Sequence, residues 1–315
     1  MHAPARTVGI SLAAGSTQLI GRPSTPQKHY SGPLTDSRRW AHYNPRFGDI
    51  VVTTPPKSGT TWVQAILALL ISGDPLVEAN PSVNSPWFDN KLDDIDEVVT
   101  RLEAQTSQRH VKTHTPFDGI PIWPELRYIA VYRHPIDVHF SSRKHVANYR
   151  PESAEEMGID EASFPKDPRE SFRVFLEGEN TDHASLETVA DHYKSALSQV
   201  PGDNILLLHY ADMTADLMSN VRTIAAHVGI SHPPDVMERL VEAATFRSMK
   251  ANADRFAPAA GRDVWKNDSA FFDSATSNKW EGVLTSDDMA AYDKAISQLL
   301  DRDERFWLEW GSKES

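Results

Sequence analysis

Residues 51–71 read VVTTPPKSGTTWVQAILALLI. A β-branched run passes through a polar loop into an apolar stretch with helical spacing, which predicts a strand, a turn and a helix in direct succession. Such a junction leaves several backbone N–H groups unpaired at the start of the helix, and the helix dipole adds partial positive charge there. Phosphate is the natural guest. The loop has the matching composition: Gly59 for close backbone approach, hydroxyls on Ser58, Thr60 and Thr61, and a cation on Lys57. The order of residues differs from the loop of nucleotide hydrolases, where Lys follows the last Gly and a Ser or Thr then takes magnesium. Here Lys57 precedes Gly59. Taken by itself, the loop also reads as an ordinary strand-to-helix turn.

Working outward, further short apolar runs at 109–114 (RHVKTH), 127–133 (RYIAVYR) and 204–210 (NILLLHY) alternate with helical patterns. This alternation predicts a single-domain α/β fold with a central parallel sheet and crossover helices. Ala65, Ile66, Leu69 and Leu70 form the apolar stripe of the first helix, and Gly73 is its stop. Thr285 and Asp288 form a capping box for a later helix carrying Met289, Tyr292, Ile296, Leu299 and Leu300. Residues 1–30, rich in Pro, Ser, Thr and Gly, read as a flexible tail, with the folded domain over 31–315. The charged, Pro-punctuated segment 146–182 reads as a surface excursion or lid.

Composition narrows the function. A chain of 315 residues with 40% hydrophobic residues builds a sizeable core. A formal net charge of −12 excludes nucleic-acid binding by broad phosphate neutralisation, so an anionic ligand must meet a local basic pocket. The absence of cysteine rules out disulfides and thiolate zinc sites and fits a cytoplasmic setting. No apolar run reaches the roughly 20 residues that span a bilayer, and no signal peptide is expected.

Two more stretches carry chemistry. In KTHTP (112–116), Lys112 and His114 are two apart and project to one face at a strand end. An imidazole beside a cation suits proton abstraction from a hydroxyl next to developing negative charge. In YRHPIDVHFSS (132–142), Arg133 ends a strand and Ser141 lies eight residues on, past a Pro placed to open a helix. Arg recognises phosphate with a planar fork, and Ser adds a hydroxyl. His134, His139 and His145 lack metal-binding spacing and read as surface or acceptor-pocket residues.

The ordered set PPKSGTTW, KTHTP, RHPIDVHFSS, LLLHYADM and TFRSMK resembles the soluble sulfotransferases that use 3′-phosphoadenosine 5′-phosphosulfate (PAPS), most of all the bacterial aryl and glycolipid type. The resemblance runs from about Arg38 to the C-terminal FWLEWG, and it implies a single three-layer α/β domain whose strand-loop-helix phosphate site is like that of the P-loop kinases. It implies that Lys57, Ser58, Gly59, Thr60 and Thr61 hold the 5′-phosphosulfate, with Lys57 on the bridging oxygen. It implies that Trp62 and Phe246 sandwich adenine beside Tyr210, and that Arg133 and Ser141 bind the 3′-phosphate. His114 becomes the general base, with Lys112 and Ser141 among the catalytic residues. PAPS is then the co-substrate, 3′,5′-adenosine bisphosphate (PAP) the product, and no metal is required.

One segment departs from the family pattern. Its usual C-terminal F-x-R-K/R-G-x-x-G-x-W reads FFDSATSNKW here, at 271–280. Asp273 and Ser274 replace the basic pair, and Ala275 and Asn278 replace the glycines. Arg143, Arg262, Lys266 and Lys279 are candidate replacements for the lost charge. The alternatives are a nucleotide-binding homologue of weakened activity or altered donor preference, and a kinase or nucleotide hydrolase, which would need a Walker loop. Trp87, Phe88, Phe117 and Tyr149 point to a phenolic or lipid-like hydroxyl acceptor. Oligomeric state is left open.

Overall fold

The computed structural model describes residues 20–156, 165–178, 185–200, 202–258, 263–272 and 277–312. Among the described residues, four strands, β1 (Ile50–Thr53), β2 (His110–Thr113), β3 (Arg127–Tyr132) and β4 (Ile205–His209), form one sheet in the order β2-β1-β3-β4. Every pairing is parallel. The four runs that the sequence marks as strands are these four. The longer helices are α1 (Thr60–Ser72), α2 (Ile95–Glu103), α3 (Pro135–Asn148), α4 (Pro168–Glu177), α5 (Leu186–Leu197), α6 (Leu217–His227), α7 (Pro234–Ala243), α8 (Ser286–Leu299) and α9 (Arg302–Trp310).

Side-chain alternation along the strands builds two cores. Ile50, Val52, Ile129, Val131 and Leu208 face α1, α6 and α7. Val51, Val111, Tyr128, Ala130 and Tyr132 face the opposite layer, with residues of α3, α4, α5 and α8. The three-layer α/β fold expected from the sequence is therefore present. Because every strand is covered on both faces, β1 is buried throughout, as parallel sheets require.

The local signals act as read. α1 ends at Gly73, whose φ of 68° is left-handed and whose N–H caps Leu69 O. α8 opens on the Thr285/Asp288 capping box. Two expectations need correcting. Of the tail expected over 1–30, residues 1–19 lie outside the described residues, but 20–30 lie along the body. Ser24 N–H donates to Ile122 O at 2.8 Å, and Gln27 N–H to Asp118 O at 2.7 Å. Backbone pairing, invisible in composition, holds this Pro-rich stretch. The second correction concerns 146–182: within it α4 buries Phe172 and Phe175 in the core, so this part is a structural layer. Its charged residues decorate the outer side of an amphipathic helix.

Candidate active site

The strands deliver their C-terminal ends to one edge of the sheet, where β1 and β3 diverge in connection order and ligands of open α/β sheets bind. A cavity of about 1080 Å³ opens there. The loop after β1 supplies Lys57 and Gly59, the end of β2 supplies Lys112 and His114, the end of β3 supplies Arg133, and the end of β4 supplies Tyr210. Thr60, Thr61 and Trp62 from α1, Ser141 from α3, and Phe246 also line it. Of the site residues expected from sequence, Ser58 alone is absent from the wall. It is fully buried, and its Oγ has no hydrogen-bond partner among the described residues.

The loop is held in an unusual backbone. Lys57 has φ 63° and Gly59 φ 122°, conformations that side-chain-bearing residues seldom adopt. A Cβ at Gly59 would lie 3.3 Å from the Tyr210 ring and 3.4 Å from Val131. The helix N-terminus carries no side-chain cap, and Trp62 N–H turns back to Gly59 O at 3.0 Å, leaving the Thr60 and Thr61 N–H groups to an outside acceptor. Thr54 and Thr60 hydroxyls hydrogen-bond to each other beneath it. A glycine whose Cβ would crowd Tyr210 and Val131, a lysine turned into the left-handed region and an uncapped helix N-terminus together fit a bound phosphate-type anion.

His114 has a defined tautomer. Its Nδ1 lies 2.7 Å from Thr54 O; a carbonyl only accepts, so Nδ1 carries the proton and Nε2 is left with a lone pair. Burial, and then the charge of Lys112, hold its pKa well below the ordinary value, so the ring is neutral at pH 7. The Trp87 ring stacks edge-on at 5.0 Å from His114, and Lys112 Nζ sits 4.2 Å above the same ring. Burial lowers the Lys112 ammonium to about 8, against an opposing pull from Asp89.

On the opposite side, Arg133 lies 4.3 Å over the Tyr210 ring and 3.8 Å from the Asp137 carboxylate. Tyr210 is 5.4 Å from Trp62, whose indole N–H donates to Ala244 O at 2.8 Å. This leaves the Trp62 ring fixed as a plate beside the phosphate loop, with Phe246 on the same cavity wall.

The divergent C-terminal segment is partly described. Asp273, Ser274 and Ala275 lie outside the described residues. Asn278 adopts φ 62°: the residue type that best tolerates the left-handed region stands where the family has glycine. Of the candidate cations, Arg143 donates to Pro165 O at 2.7 Å and Lys166 O at 2.8 Å, and Lys266 to Ala147 O at 2.8 Å. Arg262 lies outside the described residues, while Lys279 lines the cavity.

Several sequence assignments move. Trp87 and Tyr149 line the cavity, but Phe88 and Phe117 are core residues at 0% and 1% exposure. Trp87 and Phe88 bridge against β2 as a short extended pair, and neighbours on extended chain point oppositely. His134 and His139 are buried against Trp280 and Phe175 respectively, so they are neither surface nor pocket residues: His134 caps the start of α3, its side chain accepting from Ile136 N–H, and His139 lies on the inward face of that helix. His145 does line the cavity. Trp265 and residues 28–35 complete the wall without any sequence signal, because only long-range packing brings them there.

Comparison with known proteins decides the family. The sulfotransferase domain model matches residues 47–304. The chain belongs to the sulfotransferase family. It is 30% identical over 318 residues to a glycolipid sulfotransferase of Mycobacterium bovis, covering 92% of this chain and 97% of that protein. The glycolipid sulfotransferase of Mycobacterium tuberculosis is equally similar over 317 residues. Among solved structures, mouse sulfotransferase SULT7A1 complexed with PAP superposes with a TM-score of 0.68 at 19% identity, over 87% of this chain and 93% of that one. Retinol dehydratase in complex with retinol and PAP gives 0.67 at 19%, over 85% and 87%. At these identities the structural likeness speaks to the fold of this sulfotransferase. No helix among the described residues is long and apolar enough to cross a membrane.

Proposed function

We propose that this sulfotransferase moves the sulfuryl group from PAPS to a hydroxyl of a small aromatic or lipid-like acceptor by in-line transfer, with His114 as general base. The observation that carries the reading is the His114 tautomer: its Nδ1–H is spent on Thr54 O, so a neutral Nε2 is available beside two lysines. The loop Lys57–Thr61 holds the 5′-phosphosulfate, with the N–H groups at the start of α1 as donors. The acceptor oxygen attacks sulfur and its proton passes to Nε2; the bond from sulfur to the bridging oxygen breaks, and PAP departs with the electron pair. Lys57 meets the charge that grows on the bridging oxygen, and Lys112 that on the transferring group. Fixed cations aimed at developing charge supply the electrostatic part of such transfers.

Trp62 and Phe246 hold adenine beside Tyr210, and Arg133 and Ser141 take the 3′-phosphate. Lys279, which faces the cavity, replaces the missing basic pair. The glycolipid sulfotransferases that the chain resembles support a lipid-like acceptor, and the cysteine-free sequence supports a cytoplasmic setting.

The test is transfer of labelled sulfuryl from PAPS to alcohols and phenols of graded acidity, by wild type and His114→Ala. A positioned base contributes about 10²- to 10⁴-fold. The loss should approach that range for an aliphatic alcohol and shrink for an acidic phenol. Equal, negligible losses on both would remove His114 from the role, and a protein that binds PAP without transferring would be a nucleotide-binding homologue.

A further inference from the structure

His145 lines the same cavity as His114 but from another element, the last turn of α3, one helical repeat beyond Ser141. Its ring is boxed by Trp265 at 4.9 Å, Tyr149 at 5.1 Å and Phe271 at 5.5 Å. Phe271 also lies 4.7 Å under Lys57 Nζ, so a single ring separates His145 from the lysine of the phosphate loop. The box is tied down: Arg150 N–H donates to Val264 O at 3.1 Å, Lys266 N–H to Asn148 O at 2.8 Å, and the Trp265 indole to Pro258 O at 2.8 Å.

The hydrogen bond inside the box fixes the protonation of the ring. Tyr149 OH lies 3.2 Å from His145 Nε2. A phenol is the stronger donor and an imidazole nitrogen the stronger acceptor, so the O–H donates and Nε2 accepts. Burial, then the positive charges of Lys57 and Lys112, hold His145 neutral, and burial keeps Tyr149 protonated. The one ring proton is then on Nδ1, which makes no hydrogen bond to a described residue. This imidazole therefore cannot be a second base. It offers an N–H, and donating that N–H to the attacking oxygen would reduce its nucleophilicity, so its useful partner is a neighbouring oxygen.

We propose that His145 is an acceptor-positioning residue whose Nδ1–H binds an oxygen on the carbon next to the one bearing the reacting hydroxyl, selecting acceptors with two adjacent oxygens. A sugar ring and an ortho-oxygenated phenol both present this pattern, and the Tyr149 and Trp265 rings, 4.5 Å apart, offer either one an apolar wall. The proposal rests on the sulfotransferase reading above.

The test compares kcat/KM for 2-methoxyphenol against phenol and for trans-2-methoxycyclohexanol against cyclohexanol, pairs in which each member has one reactive hydroxyl. Wild type should favour the two-oxygen member about tenfold in at least one pair, the worth of one hydrogen bond. The pair that shows it separates the aromatic from the saturated-ring source. In His145→Phe, which keeps an aromatic ring in the box, the ratio should fall to near one with PAP affinity unchanged. Tyr149→Phe should lower it in part, by freeing the tautomer. A ratio taken within one variant cancels general damage to the fold. Equal use of both members by wild type, survival of the ratio in His145→Phe, or turnover of no member by a protein that binds PAP would each overturn the proposal. Failure of wild type to bind PAP would instead overturn the sulfotransferase reading.

Discussion

Burial does different things to two neighbours at the end of β2. It keeps His114 neutral, which a base needs, and brings Lys112 down to about 8, within reach of ordinary buffers. If the transferring group needs a cation at Lys112, kcat/KM for PAPS should be flat near pH 7 and fall as pH rises through about 8, because this parameter reports the free enzyme's ionisations. Lys112→Arg, which stays charged, should move that limb upward; a limb that does not move would assign it to another group. At this scale the sequence was most legible where chemistry is local. Lys57, Gly59, Thr60 and Thr61 are neighbours in sequence, as are Lys112 and His114, and all six line the cavity. Trp265 lies 120 positions from His145, and no spacing rule connects them. Phe88 and Phe117 were misplaced because aromatic character alone does not say which side of an extended segment, as at Phe88, or of a 3-10 turn, as at Phe117, faces the cavity.

The elements hold these residues by a few specific contacts. Gly59→Ala places a Cβ against Tyr210 and Val131 in a left-handed backbone. A strained backbone of this kind costs about 1–3 kcal/mol, and calorimetry should show weakened PAP binding along with a lowered unfolding midpoint. Asp89 performs the matching service for β2. Its Oδ2 accepts from Thr113 and Thr115 hydroxyls, each at 2.6 Å, on either side of His114. Asp89→Ala leaves both buried hydroxyl protons without their acceptor, at a cost of about 1–3 kcal/mol each. It should lower kcat more than PAP affinity, which a binding titration beside steady-state kinetics would separate. Helix starts and stops were legible because caps are written in adjacent residues, as at Gly73 and Thr285. The role of α4 was not: its sequence is polar on one face, and only the packed structure shows the other face buried.

At the scale of the molecule, the same burial that tunes the site makes the fold acid-sensitive. His110 is held at about 4, and His134, His139 and His192 at about 3, by removal from water. An unfolded chain titrates histidine near 6.5, so below that pH it binds protons that the native state refuses. Stability is then fully present above about 6.5 and falls as pH drops toward 4, by at most about 1.4 kcal/mol per pH unit for each such histidine. Urea unfolding midpoints should decline from pH 7 to pH 5, and His110→Gln should flatten the slope; pH-independent midpoints would contradict the burial. The parallel three-layer fold was readable because four apolar strands alternate with helical patterns and parallel sheets bury both faces. The path of residues 20–30 was not, since its backbone pairing with 118–122 leaves no compositional trace.

The central claim is a donor site that recognises both ends of PAPS despite the altered segment 271–280. The most direct measurement is calorimetric titration of wild type, Arg133→Ala and Lys279→Ala with PAP, set against 5′-AMP. Wild type should bind PAP more tightly than 5′-AMP, and each substitution should narrow this gap by about tenfold or more, as expected for loss of a charge-assisted hydrogen bond to phosphate. Equal affinity for the two nucleotides in wild type would contradict the claim.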